Sequence, residues 1–174
     1  ASWERGIIKY DHKNLYSYTT TNGLSINSVW GMVIDSEGNI WAGTFGGGLS
    51  CLKNQTFTTY SSKSGLINNA ISSVCLAPDS TIWLSAEGGI SKFTPATGVF
   101  KNFTTADGLT STKLMGITSQ KDGTIWATLY GGPNLIKIVN DKVEKNSPPG
   151  GGFGMFTDAS DTIWWGTDGG GAWR

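Results

Sequence analysis

The chain has 174 residues, of which 38% are hydrophobic and only 15% charged, and it contains 25 glycines. A chain of this length buries roughly 70% of its unfolded surface, and the composition excludes a disordered chain, collagen and a coiled coil. Its 13 basic residues balance 13 acidic ones. We therefore expect no nucleic-acid partner, and the lack of a long apolar run predicts no membrane insertion.

Short apolar runs separated by polar turns predict strands throughout the chain. Two strands precede the first complete repeat, at 6–10 and 15–18. Three groups of four follow, at 29–34, 39–44, 49–52 and 56–60, then 71–76, 82–85, 90–93 and 99–103, then 114–118, 125–128, 135–139 and 142–145. The last group has two strands, at 153–156 and 163–166.

Each group of strands carries the same motif, an Ile-Trp pair followed by a glycine-rich turn. The copies are NIWAGTFGGGL at 39–49, TIWLSAEGGI at 81–90, TIWATLYGG at 124–132 and TIWWGTDGGG at 162–171. Their tryptophans, Trp41, Trp83, Trp126 and Trp164, are spaced by 42, 43 and 38 residues. A period of about 40 residues with four short strands predicts a β-propeller blade. We expect the four tryptophans to pack between neighbouring blades.

The sequence thus predicts an all-β protein, with residues 1–174 forming a single propeller domain of four-stranded antiparallel blades. The repeats cover approximately 22–63, 64–106, 107–147, and 148–174 plus 1–21. In this arrangement the N- and C-terminal strands share one blade, which gives four blades per chain. The two ends duplicate about nine repeat positions. This overlap is compatible with three arrangements: a four-bladed ring, an eight-bladed ring from two chains, and a segment of a longer array. A closed ring is favoured because it removes unpaired strand edges.

These motifs resemble the two-component regulator propeller repeat. The run DSEGNIWAGT at 35–44, followed by glycines and Leu49, matches that family's pattern almost position for position, as do the steps at 22–24, 64–66 and 107–109. The resemblance implies a sensor propeller in the periplasm or outside the cell, belonging to bacterial hybrid two-component regulators that often sense oligosaccharides. Similar repeats occur in streptogramin lyase relatives, which rely on a histidine base.

Catalytic candidates are few. The single histidine, His12, lies in a polar turn, so Ser-His-Asp, Cys-His and histidine-rich metal sites are all excluded. We expect no catalytic residue, metal or cofactor, and the alternative is a lyase or hydrolase that uses Glu87 and Asp168 as a carboxylate pair. Cys51 and Cys75 stand at unlike repeat positions. They predict buried thiols, with a disulfide or a reactive thiol as the alternative.

A ligand site is predicted at the top-face opening of the propeller. Trp30 and Phe153 share one inner-strand position with Ser72 and Met115, and the residue after each is small, so this position is expected to line the central cavity. The candidate ligand-binding residues are Trp30, Phe45, Glu87, Lys113, Tyr130, Phe153 and Asp168. A carbohydrate or another small molecule is the expected partner. The alternatives are that the aromatic side chains only fill the axis, that two chains form a homodimer completing a larger ring, and that this is a structural or engineered repeat protein without a ligand.

Overall fold

The computed structural model describes residues 4–131, 135–144, 150–167 and 170–174. Strands in these ranges are numbered in chain order: β1 (Ile7–Tyr10), β2 (Leu15–Tyr18), β3 (Val29–Ile34), β4 (Ile40–Thr44), β5 (Gly48–Lys53), β6 (Thr56–Tyr60), β7 (Ile71–Leu76), β8 (Ile82–Ala86), β9 (Gly89–Thr94), β10 (Val99–Phe103), β11 (Leu114–Ser119), β12 (Ile125–Leu129), β13 (Ile136–Val139), β14 (Lys142–Val143), β15 (Gly154–Thr157), β16 (Ile163–Gly166) and β17 (Ala172–Trp173). No helix within the described ranges has the length and apolar character that crossing a membrane requires.

Three antiparallel sheets of four strands form complete blades. The first blade is β3 to β6, the second is β7 to β10 and the third is β11 to β14, with the strands hydrogen-bonded in chain order. The inner strands β3, β7, β11 and β15 lie side by side, so consecutive blades are neighbours. This arrangement confirms the predicted all-β propeller fold of four-stranded blades.

The hydrophobic core is divided among the junctions between neighbouring sheets. One cluster joins the β1–β2 hairpin to the first blade, a second joins the first and second blades, and a third joins the second and third blades. Ile71 and Leu84 of the second blade, for example, pack in one cluster with Trp41 and Leu49 of the first. Burial of apolar surface between sheets, at about 25 cal/mol per Å², therefore stabilises the row of blades.

The terminal strands differ from the sequence prediction of one shared blade. In the structure β1 and β2 form a two-stranded sheet, while β15, β16 and β17 form a separate three-stranded sheet. The hairpin instead packs on the first blade, where Ile7 is buried with Leu24, Val29 and Ala42. Strand β17 pairs with β16 at the edge that β1 would occupy in a shared blade, so β1 and β2 are not hydrogen-bonded to that sheet.

Short 3₁₀ helices connect the blades, and the sequence analysis did not predict them. They span Thr20–Asn22, Ser62–Ser64 and Thr105–Asp107. Each is preceded by a Ser or Thr whose hydroxyl accepts a backbone N–H, and each is followed by a glycine in the left-handed conformation. The leucine after that glycine is buried in all three copies. The Gly-Leu step therefore ends the connection and anchors it in the core.

Both cysteines are buried free thiols. Burial raises the pKa of the Cys51 thiol to about 11, and burial also raises the pKa of Cys75 far above its ordinary value. At neutral pH both side chains are protonated and behave as small apolar core residues.

Candidate ligand-binding rim

The predicted site residues lie at one end of the sheets, where each inner strand begins and each second strand ends. We call this end the upper rim. In the first, second and third blades the inner strand is irregular here, with register shifts between Val29 and Gly31, between Ile71 and Ser73, and between Leu114 and Ile117. A bulge bends a strand and redirects its side chains, and bulges are common beside functional sites.

Trp30 occupies the bulge of the first blade and stacks on Phe45, which follows the second strand. Their ring centroids are 4.7 Å apart, with an angle of 15° between the planes. The backbone N–H of Phe45 donates to the carbonyl of Ser28 at 3.0 Å, which holds this turn against the start of the inner strand. Trp30 is 38% exposed and Phe45 is 48% exposed. The pair therefore offers a flat apolar surface to solvent.

A second aromatic pair lies where the third blade meets the last sheet. Tyr130 and Phe153 have ring centroids 5.5 Å apart and an interplanar angle of 66°, an edge-to-face contact. Tyr130 donates its backbone N–H to the carbonyl of Lys113 at 2.9 Å, and Phe153 donates to the carbonyl of Gly166 at 3.0 Å. Both side chains are exposed. The two aromatic pairs thus occupy equivalent levels of different blades.

Two charged side chains lie between the two pairs, Glu87 in the second blade and Lys113 at the start of the third. Glu87 follows the second strand of the second blade at the repeat position of Phe45 and Tyr130, and its N–H donates to the carbonyl of Ala70 at 3.0 Å. Glu87 forms an isolated antiparallel bridge with Lys113, and both side chains are exposed. Six of the seven predicted residues therefore lie on the upper rim, and the seventh, Asp168, lies outside the described residues.

The inner-strand position that the sequence assigned to the central cavity is occupied differently in each blade. In the second blade the Ser72 hydroxyl donates to the carbonyl of Leu114, on the next inner strand, at 2.8 Å. It also lies 3.0 Å from the hydroxyl of Ser85. Ser72 therefore links two neighbouring blades, whereas Trp30 is turned to the exposed rim.

The described residues include few side chains that are placed to act in catalysis or to bind a metal ion. His12 lies in an exposed turn, and its ring contacts Tyr10 at a centroid distance of 5.7 Å. Among the residues that the structure describes, no group of three or more His, Cys, Asp or Glu side chains is arranged to hold a metal ion. The proposed carboxylate pair depends on Asp168, so the structure defines no separation for it.

Grooves open at the opposite, lower end of the blades, and two of them have a volume of about 440 Å³. One of these two lies between the second and third blades and is lined by Asp79, Lys92 and Asp141 among others. The other lies between the first and second blades and includes Trp41 and Lys53. None of the upper-rim residues lines either groove. The described side chains of the predicted site are exposed and lie at the opposite end from these grooves.

Polar residues at the lower end bind the blade tryptophans, which the sequence analysis missed. The indole N–H donates to the side chain of the residue six positions earlier in three repeats: Trp41 to Asp35 at 2.8 Å, Trp126 to Gln120 at 2.8 Å and Trp164 to Asp158 at 2.7 Å. The second blade has Ala77 at this position, and Trp83 donates to the hydroxyl of Thr81 at 3.0 Å instead. The constant spacing of six residues between acceptor and tryptophan is visible in the sequence and could have identified these acceptors.

Replacing Asp35 by Ala is expected to lower the free energy of unfolding at pH 7 by about 1–3 kcal/mol, because it leaves the N–H of the buried Trp41 without an acceptor. Burial raises the pKa of Asp35, but hydrogen bonds from Trp41 and Asn39 outweigh it, and the net pKa lies below 3.8. A lowered pKa in the folded state gives stability that is present above about pH 4 and is lost as the pH falls through that lowered pKa.

Urea unfolding of the wild type and of Asp35→Ala at neutral and acidic pH measures this effect, and the difference between them should shrink at acidic pH. Ser36→Ala, at an exposed position of the same turn, is the matched control and should match the wild type at both pH values. A difference for Asp35→Ala that stays constant with pH would contradict the assignment.

Comparison with known families bears on the repeat directly. Residues 23–46 match the sequence model of the family described as two component regulator propeller. A search of curated protein sequences gave no match to this propeller chain.

Solved structures share the propeller fold. The extracellular domain of a protein described as a hybrid two component system, BT3049 from B. thetaiotaomicron, aligns with a TM-score of 0.74 and 24% identity, over 91% of this chain and 23% of that one. The extracellular domain of BT4673 from the same organism, described as a one component system, aligns with a TM-score of 0.73 and 20% identity, over 97% of this chain and 25% of that one.

A catalytically inactive virginiamycin B lyase from Staphylococcus aureus, solved with quinupristin, aligns with a TM-score of 0.63 and 21% identity, over 79% of this chain and 48% of that one. The propeller chain therefore spans about a quarter of the length of the two extracellular domains and about half of the lyase. At these identities the likeness establishes the fold.

Proposed function

We propose that this propeller is a non-catalytic ligand-binding module of a sensor protein, located in the periplasm or outside the cell. The ligand, in this proposal, is a carbohydrate or another small molecule that binds at the upper rim. The observation that carries the proposal is the pair of exposed aromatic contacts, Trp30 with Phe45 and Tyr130 with Phe153, with the charged residues Glu87 and Lys113 between them. The likeness to extracellular domains of two-component and one-component systems supports the sensor role and the location.

The chemistry of the upper rim suits a ligand with both apolar and polar faces. Exposed aromatic rings cover apolar faces of a bound molecule, and a few polar groups fix its orientation. The carboxylate of Glu87 accepts hydrogen bonds from hydroxyl groups, while the ammonium of Lys113 donates them. Sugar rings present apolar C–H faces edged by hydroxyl groups, so an oligosaccharide can contact all three kinds of side chain at once.

Binding is favoured over the lyase or hydrolase alternative because the candidate bases are poor. His12 stands in an exposed turn whose neighbours form no catalytic pair with it, and Glu87 is a solvent-exposed carboxylate. Turnover of a glycan or a cyclic peptide that is lost in Glu87→Gln and Asp168→Asn would instead support the enzyme.

Replacing Trp30 by Ala is expected to weaken ligand binding at least tenfold, because it removes half of the stacked Trp30–Phe45 surface. Isothermal titration calorimetry of the whole chain against a panel of oligosaccharides provides the measurement. Tyr16→Ala, at an exposed aromatic residue of β2, serves as the control and should bind as the wild type does. The absence of heat with every glycan, or an unchanged affinity in Trp30→Ala, would overturn the proposal.

A second candidate is an assembly role, in which two copies form a homodimer that completes a larger ring. The terminal sheets favour it, since Tyr10 and Leu15 of the hairpin and Phe156 of the last sheet are large exposed hydrophobic residues. Contiguous exposed apolar surface on a sheet commonly marks an interaction surface. A structural repeat protein without any ligand would show the same assembly and no calorimetric signal.

A further inference from the structure

A lysine lies over the blade tryptophan in the second and third blades. The residue directly opposite the tryptophan on the next strand is Lys92 for Trp83 and Lys137 for Trp126. The ammonium groups lie 5.3 Å and 5.5 Å from the centroids of the indole rings. A cation within about 6 Å of an aromatic face is attracted to it, so these two repeats place their own cation beside the tryptophan.

The first blade has uncharged side chains at the same positions. Cys51 lies opposite Trp41, and its buried thiol is protonated at neutral pH. Thr58 lies opposite Cys51 on the outer strand, where the second blade has Lys101 opposite Lys92. Two lysines of the second blade are therefore replaced by neutral residues in the first.

The groove between the first and second blades, here called the first groove, is more acidic than the groove between the second and third blades, the second groove. Among the described residues, the charged residues that line the first groove are Asp35, Glu37, Asp79 and Lys53. Those that line the second groove are Asp79, Asp122, Asp141, Lys92 and Lys121. Both grooves thus have three carboxylates and one lysine when Lys92 is set aside, and the first groove has no equivalent of Lys92 to balance them.

Glu37 is placed to bind a cation that enters the first groove. It occupies the repeat position of Asp79, four residues before the tryptophan, and Asp79 lies 3.7 Å from the ammonium of Lys92 in the second groove. Glu37 pairs with Lys53 at 2.9 Å, but the Lys53 side chain is 58% exposed, against 19% for Lys92. Because exposed ion pairs contribute little, Glu37 can exchange Lys53 for an ammonium group that lies inside the groove.

The other carboxylates of the first groove add negative charge. Asp35 accepts four hydrogen bonds, from Trp41, from the N–H of Glu37 and from the backbone and side chain of Asn39. Asp79 accepts hydrogen bonds from Thr81 through its Oδ1. Its Oδ2 faces Lys92 at 3.7 Å, which is longer than a hydrogen bond. Asp79 therefore keeps an oxygen that can accept from a ligand.

Apolar side chains complete the lining of the first groove. Tyr60 is half-buried and stacks on Trp41, with ring centroids 6.1 Å apart and an interplanar angle of 30°. Cys51 and Pro95 line the groove as well. The volume of about 440 Å³ lies in the range of about 300–1,000 Å³ that is typical of small-molecule sites.

We propose that the first groove is a second binding site, which takes a small molecule carrying a primary ammonium group on an alkyl chain. The ammonium group binds Glu37 and Asp79, and the alkyl chain packs along Tyr60 and Pro95. The ligand thereby supplies the cation that Lys92 supplies in the second groove. This site lies at the lower end of the blades and does not depend on the ligand proposed for the upper rim.

Titration of the ¹⁵N-labelled chain with n-butylammonium chloride, followed through the indole N–H signals in NMR spectra, tests the site. The Trp41 signal should shift and saturate with a dissociation constant in the millimolar range. The Trp83 signal should not move, because Lys92 already lies over that ring. Sodium chloride at the same ionic strength and neutral 1-butanol are the controls. A Trp41 signal that does not shift, or that shifts equally with 1-butanol, would overturn the inference.

Matched variants test whether the missing lysine is the reason for binding. Lys92→Met removes the ammonium but keeps a long apolar side chain, so the Trp83 signal should now respond to butylammonium as well. Cys51→Lys places a lysine opposite Trp41, and the Trp41 signal should no longer respond. A silent Trp83 in Lys92→Met, or an unchanged Trp41 response in a folded Cys51→Lys protein, would contradict the repeat-based assignment.

Glu37→Gln tests the same site without a change in the core, since Glu37 is exposed. The variant should raise the dissociation constant about two- to fivefold, the effect expected for one exposed ion pair. Glu4→Gln removes an exposed carboxylate that lines neither groove and should bind as the wild type does. Equal binding by the Glu37→Gln and Glu4→Gln variants would show that Glu37 does not hold the ammonium group and would overturn the inference.

Discussion

Replacing Phe93 by Ala is expected to lower the free energy of unfolding by about 3–5 kcal/mol, the usual cost of removing a buried phenylalanine. Phe93 is fully buried at the junction of the first two blades. Its ring lies 5.6 Å from that of Trp41, 4.6 Å from Tyr60 and 4.5 Å from Phe100, measured between centroids. The variant would leave a cavity among three aromatic rings from two blades, and well-packed rings close such a cavity only in part.

Chemical denaturation of the wild type and of Phe93→Ala gives this difference directly, provided that the slope with denaturant concentration is unchanged. Val99→Ala is the matched control, since Val99 is an exposed apolar residue on the neighbouring strand β10. That change should cost less than about 1 kcal/mol. Equal losses in the two variants would mean that the junction between these blades does not hold the structure together.

Strand positions could be predicted from the sequence because the pattern that defines them is local. Alternating apolar residues between glycine-rich turns fix where a strand begins, and the strand predicted at 29–34 is observed as Val29–Ile34. The similar spacing of the repeats within the chain then indicates which strands pair. The ends of the strands were predicted less accurately. The strand predicted at 142–145 is observed as Lys142–Val143, and Lys145 lies outside the described residues.

The arrangement of the terminal strands could not be predicted in the same way. Their sequence assigns them to repeat positions but does not say which neighbour they contact. The competing contact is the pairing of β17 with β16, on the edge that β1 would occupy in a shared blade. Closing the ends would have required a contact across three blades, and a loop of that length carries a larger entropic cost than a short one.

The sequence predicted which residues lie at the upper rim, but it did not predict how their side chains contact one another. Repeat alignment put Phe45, Glu87 and Tyr130 at one position, and their N–H groups all bind a carbonyl that precedes an inner strand. Side-chain contacts such as the stacking of Trp30 on Phe45 depend on how the bulge turns the strand. An alignment of the repeat sequences does not show how the bulge rotates the side chain of Trp30.

Gly48→Ala is expected to lower the free energy of unfolding by about 2–5 kcal/mol. Gly48 has φ of 80°, a conformation that costs a residue with a Cβ about 1–2 kcal/mol. An added Cβ would also overlap the carbonyl oxygen of Tyr60, and overpacking of this kind costs about 1–3 kcal/mol more. The same overlap recurs at Gly6 with Tyr18 and at Gly89 with Phe103, so the glycine at the start of each of these hairpins lies against the last residue of the paired strand at a distance that only glycine allows.

Thermal unfolding should show this loss as a fall of about 2–4 °C in Tm for each kcal/mol. Gly46→Ala separates the two causes, because Gly46 has φ of 109° and no atom within 4 Å of the added Cβ. It should carry the conformational cost alone and melt above Gly48→Ala. If the two variants melt together, the close approach to Tyr60 contributes nothing. The glycine would then be required only for its backbone conformation, and other residues that tolerate positive φ, such as Asn, should replace Gly48 at little cost.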